Sequence, residues 1–216
     1  ELDRYQRIID GARMVIDNWK PEIEIDPEWE KAKLGELCDV RDGTHDSPKY
    51  VNHGIPLITS KNLKEGVIDF SNVNYVSEED HKKISKRSEV SEGDIIFAMI
   101  GTIGNPVIVK KDREFSIKNV ALIKFLKQSK VLNTYIKLLL ESPYTEENLY
   151  NLSRGGTQKF ISLKNIREFV IPIPPASSQK EMVKQYEEYL RINNLNRKLI
   201  TEVEVKMQNK IKKLFE

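Results

Sequence analysis

Apolar residues recur at three- and four-residue spacing near both ends of the chain, and each stripe predicts a helix. The first stripe runs from Leu2 to Trp19 and puts its apolar residues on one face, so this helix needs a partner surface. Lys20 and Pro21 end it, because a residue that precedes proline is pushed away from helical backbone angles. Residues 22 to 30 then read as an extended linker.

A second, much longer helix is predicted at the C-terminal end. Ser177 or Ser178 can cap it, and no Gly or Pro interrupts the chain from there to Phe215. Its apolar residues follow the same spacing, but Asn193 and Asn196 stand in the middle of the stripe. This pattern is typical of a coiled-coil seam whose polar positions set register and partner number. A helix that folds back on its own domain is the alternative.

Between the two helices the pattern changes to short apolar runs separated by turns. The run from Ile95 to Ile100 is typical of a buried strand, and Ser77 is predicted to cap a short helix that continues through Ile84. A further helix is predicted over 133–141. The pattern predicts an α+β domain with a strongly bent β-sheet or barrel and few short helices. The predicted divisions are an N-terminal helix and linker at 1–28, a central domain at 29–176 and a long C-terminal helix at 177–216.

The segment from 153 to 175 joins a basic, glycine-containing loop to a strand that three prolines bring to a stop. Gly155 and Gly156 allow a positive φ and a close approach to another molecule. The four residues around them supply hydrogen-bond donors suited to phosphates and base edges. A surface hairpin that happens to be polar is the alternative. These four residues are Arg154, Thr157, Gln158 and Lys159.

Charge is distributed unevenly along the 216 residues, although the net charge is only +2. The first 30 residues hold nine acids against four bases, a charge of −5, so the remaining residues carry +7. A basic body fits a nucleic-acid-binding domain, because Lys and Arg release counterions from phosphates. The same modest excess is common in ordinary enzymes, so the charge does not decide between the two classes.

The ends and the cysteine content bound the class of protein. No apolar run approaches the roughly 20 residues that cross a bilayer. The chain begins with Glu1 rather than Met and no basic-then-apolar leader follows, so we expect an excised or processed piece of a cytoplasmic protein. A lone Cys38 excludes an internal disulfide and a thiolate metal cluster.

No set of residues predicts catalysis. The three histidines are too few and too scattered for a metal site, and no serine stands in a nucleophile elbow. The segment 101–105 has two glycines but lacks the rest of a phosphate-binding or dinucleotide-binding motif, so it is predicted to be a turn. A DNA-facing loop that includes Gly101 and Thr102 is the alternative. The chain is therefore predicted to bind rather than to react.

The order of several short motifs resembles the specificity (S) subunit of type I restriction-modification systems. The motifs are Trp29 with Lys33-Leu34-Gly35-Glu36-Leu37, Asp42-Gly43-Thr44-His45-Asp46-Ser47-Pro48, Gly54-Ile55-Pro56-Leu57-Ile58-Thr59 with Lys61-Asn62, Gly93-Asp94-Ile95-Ile96, Gly101 and Gly104, Gly155-Gly156-Thr157-Gln158-Lys159 and Ile171-Pro172-Ile173-Pro174-Pro175 before Gln179. The resemblance covers 29–216 and implies one target recognition domain followed by a conserved helical region. Residues 3 to 29 also look like a connector that precedes such domains in this family and in fused methyltransferases.

This resemblance implies a non-catalytic subunit that reads one half of a bipartite DNA target and docks modification subunits. The S-adenosylmethionine, Mg²⁺ and ATP would belong to partner subunits, and no cofactor is expected here. The implied partners are double-stranded DNA, the modification subunits and, through them, the restriction subunit, with a homodimer through the terminal helices as a further expectation and no membrane contact. The alternative is the C-terminal recognition domain of a fused restriction enzyme and adenine-N6 DNA methyltransferase. A DNA-mimicking scaffold is disfavoured, since residues 31 to 216 carry +7.

The general layout of the family also implies which loop residues contact DNA. Basic residues are expected to anchor phosphates, and polar residues are expected to reach base edges. The expected phosphate contacts are Lys49, Lys61, Arg154 and Lys159. The expected base contacts are Thr44, His45, Ser47, Asn62, Thr157 and Gln158, and the loop positions Gly101, Thr102, Gly155 and Gly156 complete the set.

Overall fold

The computed structural model describes residues 1–18, 21–101, 103–153 and 160–213. Its helices are α1 (Leu2–Asn18), α2 (Leu34–Leu37), α3 (Glu78–Ser88), α4 (Asn133–Glu141), α5 (Pro143–Asn148), α6 (Leu163–Glu168) and α7 (Ala176–Lys212), with 3₁₀ turns at Ser60–Asn62 and Tyr150–Ser153. Its strands are β1 (Glu30–Lys33), β2 (Cys38–Asp42), β3 (Ile55–Ile58), β4 (Leu63–Lys64), β5 (Val67–Ile68), β6 (Asn74–Val76), β7 (Ile95–Ala98), β8 (Gly104–Ile108), β9 (Ser116–Ile117), β10 (Val120–Phe125) and β11 (Val170–Ile173). In this part of the chain no helix is long and apolar enough to span a membrane.

A four-stranded antiparallel sheet in the order β2-β10-β7-β8 forms the centre of the domain. All four residues of β7 and the first four of β10 are buried. Such continuous apolar runs suit strands that are covered on both faces. A register shift between Ile96 and Ala98 in the pairing of β7 with β8 bends the edge of this sheet.

Three smaller sheets surround the central one. They have the orders β6-β3-β9, β4-β5 and β1-β11. Ile58 of β3 and Ile117 of β9 pack in one apolar cluster with Ile96 and Leu122 of the central sheet. The α+β class predicted from the sequence is confirmed. The strands that the structure describes lie in separate sheets and form no closed barrel.

Helix α3 shows how local sequence sets an element that later positions the site. Ser77 accepts a hydrogen bond from the backbone N–H of Asp80 and so caps the helix. Acids occupy the first turn, and Lys86 and Arg87 occupy the last turn, which complements the helix dipole at both ends. The helix runs one turn farther than the predicted end at Ile84, so Arg87 is helical.

The proline-containing strand β11 is tied to the rest of the domain. The Tyr135 hydroxyl donates to the carbonyl of Pro172 at 2.8 Å. The buried amide of Gln179 accepts from the N–H of Leu132 at 2.9 Å and donates to the carbonyls of Lys130 and Pro174 at 2.9 and 3.0 Å. These bonds explain why a polar side chain that is 1% exposed is tolerated there.

The chain divides into two compact units, residues 22–180 and residues 1–21 with 181–216. In the second unit α1 and the later part of α7 run antiparallel, because Lys210 pairs with Glu1 at 2.7 Å while the Tyr189 hydroxyl donates to the carbonyl of Val15 at 3.3 Å. The amide oxygen of Asn193 is buried and has no hydrogen-bond partner among the described residues. The domain divisions predicted at 28/29 and 176/177 stay predictions.

Asn62 holds the 3₁₀ turn after β3 in place. Its side chain accepts from the N–H and the hydroxyl of Thr59, both at 3.0 Å. It also donates to the carbonyls of Asp69 and Asn72, both at 3.1 Å. The residue is 6% exposed, so all of its hydrogen-bonding groups are used inside the domain.

We expect Asn62→Ala to lower the free energy of unfolding by about 1–3 kcal/mol, because it removes the four hydrogen bonds that this buried amide makes to Thr59, Asp69 and Asn72. Urea denaturation followed by circular dichroism measures the change. Asn52→Ala is the matched control, since Asn52 is exposed. Equal stability of the two variants would contradict the role of Asn62 as a structural hub.

Cys38 supplies a test of the core. Burial raises the pKa of its thiol to about 12, whereas an exposed thiol titrates at roughly 8.5. The folded thiol therefore stays protonated at pH 8.5, and iodoacetamide, which reacts with the thiolate, should label it much more slowly than in urea. Mass spectrometry measures the labelled fraction with time. Equal labelling rates in the folded and unfolded chain would show that Cys38 is accessible.

Candidate nucleic-acid interface

Two segments that contain candidate DNA-contact residues leave the same end of the four-stranded sheet. Strand β2 ends at Asp42, which pairs with Ala121, and β7 ends at Ala98, which pairs with Val120. Both strands run antiparallel to β10, so the chain leaves each of them beside the first residues of β10. The loop after β2 and the turn after β7 therefore emerge on either side of one strand.

The far end of a third loop returns to the same place. Ile100 forms an isolated antiparallel bridge with Phe160, and the N–H of Ile161 donates to the carbonyl of Met99 at 3.0 Å. Gly101, next to this bridge, is exposed and has a φ of +78°. The remaining predicted residues of these two loops lie outside the described residues, and their contacts stay predictions. They are Thr102, Arg154, Gly155, Gly156, Thr157, Gln158 and Lys159.

Gly43 lets the loop after β2 pass directly against the end of β9. Its N–H donates to the carbonyl of Val120 at 2.9 Å, and a Cβ here would lie 2.5 Å from the carbonyl oxygen of Ile117. The next residue, Thr44, donates its N–H to that same oxygen at 3.0 Å and bridges to Lys118. The first residues of the loop are thus attached to the sheet by backbone contacts.

Asp42 is the electrostatic centre of this region. Its side chain is 6% exposed, and its two carboxylate oxygens have different partners. Oδ1 accepts from the guanidinium of Arg87, and Oδ2 lies within hydrogen-bond distance of Nε2 of His45. Nδ1 of His45 is 3.0 Å from Oδ1 of Asn119. Because an unpaired buried carboxylate is costly, Asp42 holds Arg87 and His45 in defined positions.

The other predicted residues of this loop keep part of their hydrogen-bonding capacity. The Thr44 hydroxyl accepts from the N–H of Asp46 at 3.2 Å, and the Ser47 hydroxyl accepts from Nζ of Lys118 at 3.0 Å. A hydroxyl has one donor and two acceptor sites, so both can make further bonds. Lys49 is exposed.

Lys61 and Asn62 are neighbours in one 3₁₀ turn and point in different directions. Lys61 is exposed and can contact a phosphate. Asn62 uses its whole amide for the internal bonds described above, so as placed it offers no group to a base edge. The structure therefore favours a structural role for Asn62.

Sequence reasoning missed Arg87, Asn119 and Lys118, which the fold brings to the loop after β2. Arg87 is 45 positions from Asp42 in the sequence, and a basic residue in a last helical turn is also explained by the helix dipole. Asn119 was the one weak signal in the sequence, because asparagine tolerates a positive φ and is common in turns. Its φ in the structure is +55°.

The chemistry of this end of the sheet is that of binding groups. Guanidinium, ammonium, hydroxyl and imidazole groups are the ones that contact phosphates and base edges in protein–DNA complexes. Within the described ranges no group of three or more His, Cys, Asp or Glu side chains is placed to hold a metal ion.

Comparison with known proteins gives the family. Residues 27–205 match the family described as Type I restriction modification DNA specificity domain. The type I restriction enzyme EcoBI specificity subunit of Escherichia coli is 25% identical over 181 residues, which are 82% of this chain and 37% of that protein. The type I restriction enzyme MjaVIII specificity subunit of Methanocaldococcus jannaschii is 27% identical over 203 residues, 91% of this chain and 47% of that protein.

The fold is shared with a solved structure. The HsdS subunit from Thermoanaerobacter tengcongensis superposes with a TM-score of 0.61 at 15% sequence identity, over 98% of this chain and 51% of that one. The chain spans less than half the length of the two curated relatives described above. The resemblance drawn from the short motifs is confirmed, and the chain belongs to the type I restriction modification DNA specificity domain family.

Proposed function

We propose that this chain is a DNA-reading specificity component of a type I restriction-modification system. The observation that carries the proposal is the meeting of the predicted loops at one end of the β2-β10-β7-β8 sheet. Polar and basic loop residues anchored to a rigid sheet can approach DNA together. In this proposal Lys49 and Lys61 bind phosphates, and Thr44 and Ser47 are available to base edges.

The proposed target is one half of a bipartite sequence. The described residues form one unit that contains β-sheets, and the chain spans less than half the length of the two curated relatives described above. A second recognition domain would read the other half. The relatives are named as specificity subunits, which supports this proposal over a fused restriction enzyme and methyltransferase.

The chemical steps are assigned to partners in this proposal. Modification subunits would carry S-adenosylmethionine and transfer the methyl group, and the restriction subunit would use ATP and Mg²⁺. The chain itself would contribute the residues that read the DNA sequence and the surface on which the modification subunits dock. The proposal places it in the cytoplasm with the DNA that it reads.

The helical unit supports a further part of the proposal, which is association with a second copy through the terminal helices. Ile192, Leu195 and Leu199 follow the spacing i, i+3, i+7 on α7 and are 41%, 51% and 41% exposed. On α1, Ile8 and Val15 are 36% and 46% exposed at i, i+7 spacing. Stripes of this kind pack against other helices, and two copies would supply the two recognition domains of the longer relatives.

DNA reading predicts different effects for two adjacent residues of the glycine-containing loop. Gln158→Ala should change which duplexes are preferred, because Gln pairs with adenine through two hydrogen bonds. Lys159→Ala should weaken all duplexes similarly and lower the salt dependence of binding by about one unit of slope. Fluorescence anisotropy with a panel of duplexes at several salt concentrations measures both.

Lys127→Ala is the matched control for Lys159→Ala. Lys127 is exposed and follows β10, at the opposite end of that strand from the loops. Methylome sequencing of a host with and without the intact system gives the target motif directly. Wild-type chain that binds no duplex, alone or with its modification subunits, would contradict the proposed function.

Association through the helices predicts that Leu195→Glu weakens the dimer at least about tenfold, because it buries a charge in an apolar contact. Sedimentation velocity at several concentrations measures the effect. Val205→Glu is the control, since Val205 is also 51% exposed but lies off the stripe. A wild-type monomer that does not change with concentration would contradict the dimer.

A further inference from the structure

A cleft of about 210 Å³ separates the loop after β2 from the last turns of α3. The loop side of the cleft consists of residues for which DNA contact was expected, or of their neighbours. The helix side holds no residue for which DNA contact was predicted from the sequence. The cleft is lined by Thr44, His45, Asp46, Lys83, Arg87 and, at its apolar part, Ile84.

Arg87 is held in a defined position in this cleft, although its side chain is accessible. Its side chain is 65% exposed, yet its guanidinium is bonded to Asp42, whose side chain is 6% exposed. The carbonyl of Arg87 also accepts from the guanidinium of Arg41 at 3.1 Å, which attaches the end of α3 to β2. A long, flexible side chain is thus oriented before any ligand arrives.

A guanidinium carries five N–H donors in a planar fork. The bond to Asp42 uses one of them, so donors remain for a ligand in the cleft. An arginine fork matches the O6 and N7 acceptors of guanine, and this is the commonest specific contact between proteins and DNA. Orientation by a second residue reduces the side-chain entropy lost on binding.

The charges around the cleft favour a neutral base edge over a phosphate. Lys83 and Arg87 are offset by Asp42 and Asp46, and Lys83 is already paired with Glu79 at 2.8 Å. That pair raises the pKa of Lys83, so the lysine stays charged. Asp46 adds an acceptor in the same cleft, and a carboxylate can accept from the N4 amino group of cytosine.

We propose that Arg87, held by Asp42, is a specificity-determining residue that reads guanine in a G·C base pair of the target, with Asp46 facing the cytosine. This inference rests on the proposed DNA-reading function. It adds α3 to the loops as a source of base contacts. Asp42 acts through Arg87 and is a positioning residue.

The test is selection of bound duplexes from a random pool by the full chain, followed by sequencing. Arg87→Gln and Arg87→Lys should each lose the preference for guanine at one position of the motif by about 5- to 100-fold, the range expected for one bidentate contact. The preference at the other positions and the salt dependence should stay unchanged. Arg87→Lys keeps a positive charge beside Asp42, so it tests the fork in a chain that keeps this ion pair.

Asp42→Asn tests the positioning role, because it keeps the shape of the side chain and removes the charge. It should relax the same position of the motif and no other. Arg191→Gln is the matched control, since Arg191 has a side chain that is 63% exposed and pairs with Glu188 in the helical unit. It should leave the whole motif unchanged.

The outcomes separate this inference from the proposed function. Arg87 variants that weaken every duplex equally, with a lower salt dependence, would show a phosphate contact and overturn the inference. An unchanged motif in folded Arg87→Lys would overturn it as well, while the DNA-reading function would stand. A wild-type chain that selects no motif would overturn both.

Discussion

The pairing of β10 with β2 on one side and β7 on the other is the constraint on which the unit formed by residues 22–180 depends. Because both neighbours run antiparallel to β10, their carboxyl ends fall at the same end of the sheet. The segment Val120–Ile123 is buried on both faces of the sheet, so a shift of register would change the packing of all of these side chains. The positions of the two loops are therefore decided by the core packing of the strands that precede them and of β10 between them.

Asp42 connects this packing to the surface. It ends β2, pairs with Ala121 and is buried, and its carboxylate has partners on two other segments. Burying a carboxylate is unfavourable unless its oxygens have hydrogen-bond partners. The buried position of Asp42 is therefore stable only while Arg87 and His45 stay close to it. Gly43 then permits the close crossing that a Cβ would prevent. One dipeptide thus attaches a helix and a loop to the same strand end.

Much of this frame could be predicted from the sequence because it follows from local patterns. The apolar run from Ile95 gave strand β7, Ser77 capped α3, and the interior helix was predicted at 133–141, where α4 lies. The predicted end of α3 at Ile84 was wrong by one turn. The helix continues to Ser88, although no apolar residue follows Ile84 within it. Local periodicity carries no information about tertiary partners, which is why Arg87 and Asn119 were missed.

The same limit explains why the predicted site residues divide into two groups. Residue type alone suggested that Asn62 and His45 could contact bases, but their structural surroundings differ from those of a reader. The side-chain amide of Asn62 makes hydrogen bonds only inside the domain. The ring nitrogens of His45 lie within hydrogen-bond distance of Asp42 and Asn119.

The hydrogen-bonding capacity that a side chain retains after folding distinguishes residues of the structural frame, which bond inside the domain, from residues of the proposed DNA-contact surface. By this criterion His45 belongs mainly to the frame, because it helps to satisfy Asp42. Arg87 belongs to the surface, because its bond to Asp42 leaves most of its donors available and fixes where they point. A buried carboxylate that orients an exposed guanidinium therefore links the stability of the sheet end to the proposed reading of DNA.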